Sequence, residues 1–197
     1  MAGSRQLCPL LAGFLALALP FNASASSLEV PPAHTGGFGE PDCTACHFEN
    51  DVHEAGTNLS LEGLPPAYQP GQTYDLTIRL ADPALRVGGF LLSARAAGTM
   101  HCGSPAGALE PVDGRTEKVL HGLPPVEYLR SVDSTLGPHS APTAIWRLKW
   151  TAPDYVDAYV AFHLTANAGN GDGSPLGDQI YALEIILPPK LPYRNQP

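Results

Sequence analysis

The chain reads as an all-β protein, an antiparallel β-sandwich of seven to nine short strands. Three observations predict it. Short stretches alternate apolar and polar residues with a period of two, Pro and Gly turn signals recur between them, and no long helical period is present. With 20 Gly and 21 Pro in 197 residues the chain is rich in turns, while its 44% hydrophobic content separates it from disordered Pro-rich sequences.

The first 25 residues stand apart from this fold. Arg5 gives a short basic segment, residues 7–19 a mostly apolar one, and Ala23-Ser24-Ala25 an A-x-A site, so an export signal cleaved before Ser26 is expected. The apolar run is too short to cross a bilayer comfortably, and Cys8, which lies ahead of most of it, leaves with it. Residues 26–58 follow as an extended arm, rich in Pro and Gly up to residue 42, that carries Cys43-Thr44-Ala45-Cys46-His47. Alternation starts at 59–61. Pro70-Gly71 marks a turn, after which residues 73–80 alternate Tyr74, Leu76, Ile78 and Leu80 with polar residues. Residues 89–96 and 126–132 are the next strands. In 144–150, Trp146, Leu148 and Trp150 alternate with Ile145, Arg147 and Lys149. In 158–167, Val160, Phe162 and Leu164 share one face, and Tyr159 and His163 the other. Residues 179–187 form the last strand, stopped by Pro188 and Pro189. The sandwich therefore spans 59–187, followed by a Pro-rich tail at 188–197. Its expected core is Tyr74, Leu76, Ile78, Phe90, Leu92, Trp146, Leu148, Trp150, Val160, Phe162 and Leu164. The Cys43 motif belongs on a loop or short turn before the first core strand.

About 170 residues remain after the signal, enough for one domain with a real core, and no repeat or second domain is expected. The net charge of −8 without Lys/Arg clusters disfavours a nucleic-acid partner. No later segment is apolar enough for a transmembrane anchor. Hydrolase signals fail. Gly103-Ser104-Pro105-Ala106-Gly107 has the wrong spacing for a nucleophile elbow, and His53-Glu54 lacks the second His of a zinc-protease helix. The stretch 167–178 lacks the Gly and terminal Glu of a calcium loop. A non-enzymatic protein is expected.

Cys43-Thr44-Ala45-Cys46-His47 is the strongest chemical signal. Two thiols three positions apart can each add across a vinyl group of one haem, and the adjacent His47 can then reach the iron from the proximal side. The expected cofactor is one covalent haem c. Candidate distal ligands are Met100, His101, His163, His53, His34 and His139. His163 stands out as strand-borne on the polar face, and Met100 as the only methionine after the signal. Five-coordinate iron is also allowed. Two other readings stay open. Cys43 and Cys46 can form a disulfide or remain a free dithiol, or they can join His101 and Cys102 around zinc.

The residues Thr35-Gly36-Gly37-Phe38-Gly39-Glu40-Pro41-Asp42 leading into the motif resemble the start of the bacterial choice-of-anchor V domain, which is similar to the Reeler (reelin-type) domain. Tyr68-Gln69-Pro70-Gly71-Gln72-Thr73-Tyr74, the run 89–95, Trp150-Thr151-Ala152-Pro153 and the stretch 167–181 extend the resemblance over most of 35–187. It implies an immunoglobulin-like sandwich and a secreted or surface module with a Cys-x-x-Cys-His start. Relatives commonly carry a His after an aromatic in the strand before the Trp-rich one. Here Arg130 of Tyr128-Leu129-Arg130 takes that place, and no sorting anchor is expected after the domain. The sequence thus points to an exported monohaem c-type protein, periplasmic or secreted, acting with a redox partner protein in electron transfer or redox or gas sensing. The alternative is a haem-free secreted adhesion or binding module whose cysteines are structural.

Overall fold

The computed structural model describes residues 29–98, 101–132, 142–155 and 158–191. The expected export signal, Met100, His139 and the end of the tail lie outside the described residues. The described residues form ten strands: β1 (His53–Glu54), β2 (Leu59–Glu62), β3 (Thr73–Ala81), β4 (Val87–Ala97), β5 (Ala108–Pro111), β6 (Thr116–His121), β7 (Val126–Ser131), β8 (Thr143–Thr151), β9 (Tyr159–Gly169) and β10 (Gln179–Leu187). They make a sandwich of two sheets, one in the order β1-β10-β9-β4-β7-β6 and the other β2-β3-β8-β5. Strand pairs are antiparallel except β1 with β10, which is parallel. The chain is an all-β sandwich, as its alternation predicts.

In the four-stranded sheet the pattern is simple. β3 and β8 bury every second residue, Leu76, Ile78 and Leu80 opposite Leu148, Trp146 and Ala144, and turn Asp75, Arg79, Arg147 and Lys149 outward. Ten of the eleven expected core residues are buried. Tyr74 is only partly buried, stacked on Trp150 with ring centroids 5.7 Å apart and its hydroxyl accepting from the Gln69 amide at 2.8 Å. Trp150 sits at the centre, edge-on to Tyr68 and Phe162, with its indole N–H donated to the Ala106 carbonyl at 3.0 Å.

The six-stranded sheet departs from a one-sided pattern. Leu91, Ser93 and Arg95 of β4 and Ala161 and Thr165 of β9 point away from the core, yet all five are buried. Their cover is the N-terminal arm, folded back over the outer face of the sheet. Three strands were not expected from sequence. β1 has two residues, and β5 and β6 expose much of their length, so neither carries a clear apolar alternation.

Candidate functional site

The Cys43 motif is a single 3-10 turn, Cys43–Ala45. Asp42 caps it, accepting from the Thr44 amide at 2.8 Å and the Thr44 hydroxyl at 2.5 Å. The amides of Cys46 and His47 both donate to the Cys43 carbonyl, at 3.2 and 3.0 Å. This winding gathers Cys43, Cys46 and His47 onto one turn, as the spacing predicts. Cys43 is half-buried with its sulfur accepting from the Thr165 hydroxyl at 3.4 Å, and burial pushes its thiol up to about 11. Cys46 is exposed.

His47 lies against the sheet. Its Nδ1 is 2.7 Å from Oδ2 of Asp178, a residue only 4% exposed. A ring nitrogen facing a carboxylate carries the proton, which puts the lone pair on Nε2. Asp178 is itself fixed. The Asn170 amide donates to its Oδ1 at 3.0 Å, the Asn167 side chain to its Oδ2 at 3.1 Å, and Asn50 Nδ2 to its carbonyl at 2.8 Å. The Asn167 amide nitrogen also lies 3.1 and 3.2 Å from the two imidazole nitrogens, while its Oδ1 is buried without a hydrogen-bond partner. Asp178, Asn167 and Asn50 were not singled out from sequence. They are ordinary polar residues of a loop, a strand and the arm, and only the docking of the arm gives them a common purpose.

Upstream of the turn, residues 35–41 lock the arm down. The Glu40 amide donates to the Gly37 carbonyl at 3.0 Å, with Phe38 (φ +54°) and Gly39 (φ +82°) both left-handed, which is a type I′ turn. A left-handed Phe is unusual, and here it sets the ring edge-on to His163 at 5.1 Å and under the Arg95 guanidinium at 5.1 Å. The Glu40 carboxylate accepts from Arg95, from the Tyr128 hydroxyl and, at 2.6 Å, from the Thr35 hydroxyl. Arg95 also donates to Tyr128 and is 5% exposed. Gly37 has no alternative side chain, because a Cβ there would stand 2.2 Å from the His163 ring. Burial lowers the pKa of His163, with Glu184 pulling the other way at 3.2 Å, and burial raises that of Tyr128 against Arg95.

The expected distal ligands are dispersed. His163 sits four positions from Asn167 on β9, roughly 13 Å along the strand, under Gly37 and Phe38 rather than beside His47. His53 Nε2 is 3.0 Å from Gln179 Oε1, and His34 Nδ1 is 2.9 Å from the Pro32 carbonyl. His101 and Cys102 lie in an exposed turn before Gly103. Arg130 bonds Glu117 at 2.6 and 2.7 Å and the Val30 carbonyl at 2.7 Å, so it tethers the beginning of the arm. Cys43, Cys46 and Cys102 are free thiols, and among the described residues no three His, Cys, Asp or Glu side chains gather as a metal site. The zinc arrangement of Cys43, Cys46, His101 and Cys102 is therefore not assembled.

Among the described residues no helix is long and apolar enough to cross a membrane. No family model and no curated protein matches the chain. Among solved structures it is similar to the human F-spondin reeler domain, with 23% identity and a TM-score of 0.47 over 71% of this chain and 94% of that one. It is also similar to the Reelin-N domain of F-spondin, at 23% identity and 0.48 over 75% and 95%, and to a cohesin module from a Clostridium perfringens family 33 glycoside hydrolase, at 15% and 0.41 over 68% and 97%.

Proposed function

We propose that the Cys43–His47 turn is the attachment site of one c-type haem on an exported protein that transfers electrons or senses a redox or gas signal with a redox partner protein. The observation that carries this reading is the hydrogen bond from His47 Nδ1 to Asp178. It orients the ring, holds the proton at Nδ1 and leaves Nε2 as a ligand atom, the usual support for a metal-bound histidine. The residues fit the group. Cys43 and Cys46 flank one turn, Cys46 and His47 reach the surface, and Asp42 caps the turn so that the three keep their spacing. Each Sγ–H would add across a vinyl group, so that an S–C bond would form and the thiol hydrogen would go to the neighbouring carbon, with no oxidant needed. The bound group supplies a one-electron iron couple. The polypeptide supplies the tether, the proximal nitrogen, and Asp178 as the group that sets the basicity of that nitrogen.

A second reading is a haem-free secreted binding module in which the motif only closes the arm onto the sheet. The inward Cys43 sulfur favours it. Production in a host with haem-attachment machinery, followed by intact mass and a haem stain after denaturation, separates the two. A mass gain of one haem that survives denaturation and disappears in Cys43→Ser/Cys46→Ser is expected. An unmodified mass from that host leaves the binding module.

A further inference from the structure

Phe48 follows His47 directly, and Leu176 lies two positions before Asp178. Both are large apolar residues facing water, 52% and 43% exposed. They are held together rather than loose. A parallel β-bridge pairs them, and the Phe48 amide donates to the Pro175 carbonyl at 3.0 Å. Leu176 is fixed again by its amide on the Ser174 hydroxyl at 3.1 Å and its carbonyl on Asn170 Nδ2 at 3.3 Å. The loop around it, Asn170-Gly171-Asp172-Gly173-Ser174, is otherwise polar, so a rigidly presented leucine there has no part in the core.

We propose that Phe48 and Leu176 form the apolar bed for the flat ring attached at Cys43 and Cys46, a proposal that rests on the haem reading of that turn. Two thioethers and one iron ligand fix the ring at an edge and at its centre. They do not keep water from its faces, and apolar side chains do. The bridge is tied to both ends of the His47–Asp178 hydrogen bond, Phe48 one position after His47 and Leu176 two before Asp178, so it belongs to the same docked turn. A lone exposed hydrophobe is common and needs no partner. Two that are bridged to each other beside a tether for a large apolar group form a surface suited to it.

The test uses the full chain loaded by haem-attachment machinery, with Phe48→Ser, Leu176→Ser, the double variant, the conservative Phe48→Leu, and Val112→Ser as an equally exposed control away from the turn. Attachment is read by intact mass, and the ring's environment by reduction potential and by the rate of bleaching with hydrogen peroxide. Attachment is expected in every variant. The double variant should show a lower potential, because water stabilises the more highly charged oxidised centre, and several-fold faster bleaching. Phe48→Leu and Val112→Ser should match the parent. A loaded double variant with unchanged potential and bleaching overturns the bed while leaving the haem site in place. A parent chain that carries no haem overturns both, and that outcome is visible before any variant is compared.

Discussion

At Cys43 the thiol is turned against Thr165 and kept protonated by burial, whereas Cys46, three positions on, faces water. Thiolate is the reactive form, so the two should differ in rate. Brief alkylation of the unloaded chain near pH 8 is expected to label Cys46 and Cys102 at least ~10-fold faster than Cys43, read by peptide mass mapping. Equal rates would mean that the turn does not rest on β9 in solution. Asp178 is the other decisive residue, a buried carboxylate meeting His47, Asn167 and the Asn170 amide. Asp178→Asn should cost roughly 1–3 kcal/mol in urea unfolding of the unloaded chain, because donors aimed at a carboxylate lose much of their partner. Under the proposed haem reading, the variant loaded with haem should keep the thioether mass but show a raised reduction potential, since a less basic His47 would donate less to the iron. Cys43, Cys46 and His47 are legible in the sequence as candidates, because the chemistry proposed for them is written in a five-residue spacing. Asp178 is not, because nothing within its own loop distinguishes it from the neighbouring Asp172.

The arm is the element whose behaviour was least legible. Its Gly and Pro content predicts an extended segment without periodicity, and its residues 35–41 instead form a turn clamped onto β4, β7 and β9. Two changes probe that clamp. Gly37→Ala sets a methyl group against the His163 ring, which can yield only if the arm rises. A loss of about 1–3 kcal/mol, together with faster alkylation of Cys43, is expected. A stable variant with Cys43 still protected would show that the close approach of Gly37 is not required. Glu40→Ala leaves Arg95 buried without its carboxylate, and removal of one partner of a buried pair costs about 3–5 kcal/mol. Adding Arg95→Met should return a large part of that loss, because an apolar side chain of similar length needs no partner. Denaturant titration of the two variants and the double gives the coupling directly. Additive losses would place Glu40 and Arg95 in separate roles.

Across the whole molecule, the two sheets are joined by their aromatic core and by a buried hydrogen bond from the Tyr181 hydroxyl on β10 to Asp82, just beyond β3, at 2.6 Å. Burial and the neighbouring carboxylate push the Tyr181 pKa up from 10.0 to about 12. The folded state therefore holds the phenolic proton more tightly than the unfolded chain. That contribution is complete below pH 10 and is lost as pH rises towards 12. Urea midpoints measured from pH 9 to 11.5 should fall, and Tyr181→Phe should flatten the fall over that range. A parent curve no steeper than the variant's would remove Tyr181 as its cause. The sequence by itself determined the sandwich, seven of its strands and nearly all of its core, because burial of one sheet face writes a period of two into adjacent residues. Strands β5 and β6 escaped it because exposed edges carry no such pattern. Only the tertiary structure decided that the arm covers the outer face of the larger sheet, that β4 and β9 are buried on both sides, and that His47 meets a carboxylate 131 positions away. These depend on which surface the packed sheets leave open, a property of the assembled fold that no local stretch of sequence contains.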